Sequence, residues 1–116
     1  MRLLELNPQF VRYDRRGDDI YHVYVETIVE AQGVQFLCPK CFEANHGSIG
    51  THSICCWSSS AGTPNDATPG PGRWKLVGTR YDDLTLDSEP GKPRSVQLLS
   101  GCAWHGFITN GEVTHA

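Results

Sequence analysis

Two short motifs in this chain each pair two metal-binding residue types at the same spacing. Cys38-Pro-Lys-Cys41 is a Cys-x-x-Cys motif, and Cys102-Ala-Trp-His105 ends in histidine at the same interval. A tight turn of this length lets two side chains approach one ion while backbone amides bond back to the thiolates. Together the motifs offer three sulfurs and one nitrogen, a set suited to tetrahedral Zn²⁺. The sequence therefore predicts a zinc site of Cys38, Cys41, Cys102 and His105.

A second set of metal-ligating residue types lies between the two motifs, at His46, His52, Cys55 and Cys56. In a strand, alternation points His52 and Cys55 to opposite faces, whereas His52 and Cys56 share a face. This set could hold a second metal ion, or His52 could join the first site as a ligand or as a base. The alternative is that Cys55 and Cys56 are small apolar core residues, as free cysteines commonly are.

Composition limits the class of protein to which the chain belongs. Its 116 residues suit one domain, 39% of them are apolar, and the formal net charge is −3. We do not expect nucleic-acid binding, because binders of that kind usually carry a basic patch. No apolar run is long enough for a signal peptide or a membrane span. We expect an intracellular protein whose five cysteines are metal ligands or free thiols rather than disulfides.

The elements that must position these residues are strand-like almost throughout. Short runs rich in Val, Ile, Thr and aromatic residues, separated by turn signals, predict an all-β fold. These runs are 9–14, 20–29, 34–38, 51–57, 73–78, 84–86, 95–99 and 106–108. Gly17 and the Asn110-Gly111 pair predict hairpin turns, and a helical turn is possible near the N-terminus. We expect one zinc-binding β domain over 1–116, with a flexible loop at 58–72, where small, polar, Gly and Pro residues dominate.

The segment order resembles a known family. Cys-Pro-x-Cys is followed by "THSICCW", a Gly/Pro-rich loop, "GRWKLVGTRYDDLTL" and finally "SVQLLSGCAWHGFITNGEV". This order resembles small uncharacterised proteins encoded by phages and prophages, some of which carry the automatic label "ammonia monooxygenase". That enzyme is a membrane-embedded copper complex, so the label does not fit this chain. The resemblance covers roughly residues 34–113. It implies a phage or prophage origin, the cytoplasm of a bacterial host, and zinc at Cys38, Cys41, Cys102 and His105.

The expected architecture is also similar to the β-tent group, in which two zinc knuckles join two small antiparallel sheets. That group includes methionine sulfoxide reductases of the B type and the aromatic-cage domain that binds cyclic imides. A zinc-ribbon-like fold is the related alternative. Those families usually have Cys-x-x-Cys at both knuckles, whereas the second knuckle here ends in His105. A shared fold is weak ground for a shared function.

Three functions follow from these features. The first is a binding module with a structural zinc ion, which contacts a host or phage protein, or a small ligand near Trp104. The second is a zinc-dependent hydrolase with an open metal position and His52 or Glu43 as base. It requires that one of the four predicted ligands does not bind. The third is thiol redox chemistry at Cys55 or Cys56, which needs an accessible thiolate. We favour the binding module. The oligomeric state does not follow from the sequence.

Overall fold

The computed structural model describes residues 1–116 and shows an all-β protein, as predicted, with one α-helix and one 3-10 helix. The 3-10 helix spans Leu3–Leu6, and helix α1 spans Pro39–Asn45. In chain order the strands are β1 (Gln9–Arg16), β2 (Asp19–Val25), β3 (Gly33–Leu37), β4 (Ser53–Trp57), β5 (Lys75–Val77), β6 (Thr85–Glu89), β7 (Lys92–Pro93), β8 (Val96–Gln97), β9 (His105–Thr109) and β10 (Glu112–His115).

These strands form three small antiparallel sheets. The largest has the order β2-β1-β3-β4, and the two others have the orders β10-β9-β8 and β5-β6-β7. The predicted hairpin turn joins β1 to β2, where Gly17 adopts a φ of 63°, a conformation that is costly for most residues with a side chain. Asn110 and Gly111 likewise both have positive φ in the turn between β9 and β10. The turn chemistry therefore fixes the register of both hairpins.

One hydrophobic core joins the three sheets. Alternating residues of the largest sheet, including Phe36 and Cys56, pack with Ile108 of β9 and Leu86 of β6. Trp104 meets the Phe36 ring edge to face, with 6.4 Å between ring centroids. Full burial of each large apolar side chain contributes about 1.5–3 kcal/mol. A smaller cluster on the opposite face of the largest sheet contains Val11, Trp57 and Ala67.

Helix α1 is the main departure from the sequence-based expectation, which treated Cys38–Cys41 as a simple turn. Pro39 occupies the first turn, where its missing N–H costs no hydrogen bond. The helix ends where His46 adopts a left-handed φ of 55°, the usual geometry of a helix C-terminus. Seven residues are too few to show a helical period.

No helix in the structure has the length and apolar character needed to cross a bilayer.

The segment 58–72 contains no helix or strand, in line with its composition. The residues that flank it, Trp57 and Arg73, form side-chain hydrogen bonds to its carbonyl groups. The indole Nε1 of Trp57 donates to the carbonyl of Thr68 over 2.8 Å. The Arg73 guanidinium donates to several carbonyls of the segment, including that of Ala67 over 3.0 Å. The flexibility expected for this segment stays a prediction, and these contacts show which residues would restrain it.

Candidate metal centre

The start of helix α1 places two sulfurs side by side. Cys38 is the residue that caps the helix, and its carbonyl accepts a hydrogen bond from the Phe42 N–H over 2.9 Å. Cys41 lies one turn further along the same helix. Residues three apart share one helix face, so the two side chains point to the same side. The local sequence, with proline directly after Cys38, therefore builds the first half of the site.

The pairing of β3 with β4 brings a histidine to these sulfurs. Leu37 pairs with Ser53 at the end of the ladder, and the Cys38 N–H donates to the His52 carbonyl over 2.8 Å. His52 is therefore directly across from Cys38. Residues opposite each other in an antiparallel pair have their side chains on the same face. The strand register thus decides that His52 faces the thiol of Cys38.

The loop between β8 and β9 supplies the third sulfur. The Leu98 N–H donates to the Trp104 carbonyl over 2.9 Å, which closes a tight loop around Cys102. Gly101 and Ala103, on either side of Cys102, have φ values of 64° and 53°. The Lys40 ammonium group donates to the Cys102 carbonyl over 2.7 Å. This bond ties the loop to helix α1.

These elements bring Cys38, Cys41, His52 and Cys102 together. Their ligand atoms all lie within 4.8 Å of one another. The sulfurs of Cys38 and Cys102 are 3.5 Å apart, and His52 Nε2 is 3.4 Å from the Cys102 sulfur. With bonds of about 2.3 Å to sulfur and 2.0–2.1 Å to nitrogen, tetrahedral zinc needs separations of roughly 3.5–3.8 Å. These two separations are close to this range, and the group could therefore hold a metal ion.

Burial and hydrogen bonding set the thiol pKa values in opposite directions. Burial is the main cause that raises the pKa of Cys38 to about 12. The hydrogen bond from His52 is the main cause that lowers the pKa of Cys102 to about 6. These opposite shifts favour the thiolate form at Cys102 and the thiol form at Cys38. A bound cation would have to displace the proton of Cys38.

The four residues differ at one position from the set predicted from the sequence. The three predicted cysteines are brought together, but the group contains His52 in place of His105. Strand β9 begins at His105, so the chain is already extended there and no longer turns back towards Cys102. The neighbouring Trp104 side chain is buried in the core, and in a strand His105 points to the opposite face. That His52 could join the first site was one of the alternatives left open by the sequence, and the register between β3 and β4 brings it there.

The remaining members of the second predicted set lie outside this group. His46 is an exposed residue at the end of helix α1. Cys56 is fully buried in the main core, and Cys55 packs against the smaller cluster on the other face of β4. Burial raises the pKa of Cys55 to about 12 and holds that of Cys56 well above its usual value. These positions fit the interpretation of both cysteines as small core residues.

A chain of hydrogen bonds connects the last strand to helix α1. The Trp104 indole donates to His115 Nδ1 over 2.9 Å, and His115 Nε2 lies 3.3 Å from a Glu43 oxygen. Because Nδ1 accepts, the ring proton belongs on Nε2, where it can be donated to Glu43. Glu43, a candidate base in the hydrolase hypothesis, is thus engaged with His115. Trp104, the expected neighbour of a small ligand, is only 2% exposed.

A cleft of about 560 Å³ opens beside the metal-binding group. One wall is formed by residues 52–55, which include His52 and the first half of β4, and the other by residues 94–100 around β8. Residues 69–72 and the side chain of Trp74 complete it. A smaller hollow shares His52 and residues 98–100 with the cleft, and Cys41 and Cys102 also line it. The cleft is within the usual size range of ligand sites.

Comparison with protein-family models, with curated proteins and with solved structures finds no match for this chain. The resemblance to phage-encoded proteins stays a prediction, and the chemistry of the site rests on its own geometry.

Proposed function

We propose that this chain is a small binding module in which one structural zinc ion joins the largest sheet to the β8–β9 loop. The observation that carries this proposal is the convergence of Cys38, Cys41, His52 and Cys102 within 4.8 Å. Three thiolates and one imidazole favour zinc over harder ions such as Mg²⁺ or Ca²⁺. The low apolar fraction of the chain adds a reason for such a ligand, because small cores often need a metal.

A structural role suits the geometry better than a catalytic one. Four protein side chains fill a tetrahedral site, whereas a catalytic zinc ion usually keeps one position for water. Glu43, which a hydrolase could use as base, accepts a hydrogen bond from His115. The cleft beside the site then has the role of binding a partner rather than activating water.

Thiol redox chemistry has less support. A reactive cysteine needs a thiolate that is accessible at neutral pH. Burial raises the pKa of both Cys55 and Cys56 well above neutrality, which favours their thiol forms, and Cys56 is also fully buried. The partner implied by the resemblance, a host or phage protein, is compatible with a cleft at the protein surface.

Metal content and folding together test the proposal. Native mass spectrometry of protein purified without chelator should give one zinc ion per chain. Removal of that ion by a chelator should unfold the protein or lower its melting temperature, since the binding free energy of a structural site is folding free energy. Cys55→Ser is the matched control, because its sulfur is outside the group, and it should keep the zinc. A folded wild-type protein that carries no zinc and gains no stability from added zinc would refute the proposal.

A further inference from the structure

The cleft beside the metal-binding group lies between two strands that each form the edge of a sheet. β4 ends the order β2-β1-β3-β4, and β8 ends the order β10-β9-β8. An edge strand has backbone N–H and C=O groups that no neighbouring strand satisfies. A cleft with such a wall can take an extended peptide as an additional strand.

The register identifies which groups of β4 face the cleft. Two hydrogen bonds, from Cys38 N–H to the His52 carbonyl and from Ser58 N–H to the Gln32 carbonyl, show that the even-numbered residues bond to β3. Bonding alternates along an antiparallel pair. The N–H and C=O groups of Ser53 and Cys55 therefore point away from β3, and both residues line the cleft.

Next to the last residue of β4, Trp57, the position of a further strand is taken by the chain itself. The Trp74 N–H donates to the Trp57 carbonyl over 3.1 Å, and the Ser59 N–H donates to the Trp74 carbonyl over 2.7 Å. These two bonds form a parallel bridge between Ser58 and Trp74. Before Trp74 the chain runs through residues 69–72, a Pro-Gly-Pro-Gly sequence that forms no ladder with β4. The position beside Ser53 and Cys55 is thus left open.

The charge of the cleft indicates what kind of peptide it suits. Among its lining residues Arg94 carries the only permanent charge, and there is no aspartate or glutamate. Arg94 is exposed, and its guanidinium takes part in none of the ion pairs of the structure. Apolar surface is present beside it, in the side chains of Trp74 and Leu98. A peptide carrying both a carboxylate and apolar side chains would complement this lining.

We propose that the cleft binds an extended acidic peptide, which adds to β4 as a new strand and places a carboxylate near Arg94. This inference rests on the proposed function, since it names the partner class of that binding module. The backbone of Ser53 and Cys55 supplies hydrogen bonds to the peptide main chain. β8 and Trp74 enclose its other side.

Fluorescence anisotropy with defined peptides on the zinc-loaded protein tests the inference. The probe is a labelled peptide of about six residues, with alternating valine and threonine and one central aspartate. We expect it to bind, and we expect binding about tenfold weaker or worse when alternate amides are N-methylated, because main-chain bonds are lost. A lysine in place of the aspartate should also weaken binding. Arg94→Gln should weaken binding of the acidic peptide about two- to fivefold and remove the preference for acid over lysine.

Amide hydrogen exchange measured by NMR locates the bound peptide. Exchange at Ser53 and Cys55 should slow on binding, while exchange at Tyr24 of the other edge strand, β2, should not change. Slowing of exchange at β2 instead would overturn the inference. So would binding that N-methylation does not weaken, because the cleft would then recognise the carboxylate alone, as it would a small anion.

The two proposals fail in different ways. If the folded, zinc-loaded protein binds none of these peptides, the inference is wrong and the structural zinc ion stands. If the protein carries no zinc, the proposed function fails whatever the peptides do. Arg94→Gln should keep the zinc content and melting temperature of the wild type, because Arg94 is not among the metal-binding residues.

Discussion

Cys102 is the one member of the candidate metal-binding group that lies in the second half of the chain. Cys38, Cys41 and His52 all come from the β3–β4 region, whereas Cys102 is in the loop between β8 and β9. A metal ion held by all four would therefore cross-link Cys102 to positions 50 to 64 residues earlier in the chain. By the chain-entropy relation for cross-links, a loop of that length contributes about 4 kcal/mol to the free energy of unfolding. Cys102→Ser should remove this contribution.

The assay is urea unfolding of wild type and Cys102→Ser, with saturating zinc and again with excess chelator. In zinc the variant should lose at least about 4 kcal/mol, which corresponds to a fall of roughly 2 M in the urea midpoint. In chelator the two proteins should differ much less, because the cross-link is absent from both. Cys55→Ser controls for loss of a thiol outside the site.

Two results would refute this reasoning. Equal midpoints of wild type and Cys102→Ser in zinc would show that the metal does not join the two regions. An equally large difference in zinc and in chelator would show that Cys102 stabilises the fold by packing or hydrogen bonding, not through a metal ion.

Three further outcomes are expected. His52→Ala should weaken zinc binding by more than about 100-fold, which exceeds the usual effect of losing a residue that only supports a metal ligand. His105→Ala should leave zinc binding unchanged in chelator competition. The reverse result would favour the sequence-based ligand set. Zinc binding near neutral pH should release the proton of Cys38, whose pKa burial raises to about 12. The affinity for zinc should then rise about tenfold or more per pH unit. Calorimetry in buffers of different ionisation enthalpy measures the released proton, and a result with no proton release would contradict this prediction. Alkylation of the folded protein near neutral pH should leave Cys55 unmodified, because burial raises its pKa to about 12 as well; rapid labelling there would revive the redox hypothesis.

The strands were predictable because their signal is local. Alternating apolar residues and turn residues such as Gly17 and the Asn110-Gly111 pair specify extended segments and hairpins without reference to the rest of the chain. Helix α1 was not predicted, because Pro39–Asn45 is too short to show a periodic pattern. What stabilises it is the proline in its first turn and the packing of Cys41 and Phe42 against the core.

The tryptophans show the limit of such local signals. From the sequence, Trp104 was the expected neighbour of a small ligand. The structure buries Trp104 in the core and places Trp74 in the cleft wall. Which side of a strand becomes the core depends on how the sheets pack together, and that depends on residues far apart in the chain.

The sequence by itself determined an all-β protein and the three sulfurs of the candidate metal centre. Cys-x-x-Cys spacing and glycine next to Cys102 act over a few residues, so they can be recognised in the sequence alone. Only the tertiary structure decided that the histidine beside these sulfurs is His52 and not His105. That choice depends on the register between β3 and β4, which puts His52 across from Cys38, and on β9 being already extended at His105. Both follow from pairing between strands, whose energetics involve residues that are distant in sequence.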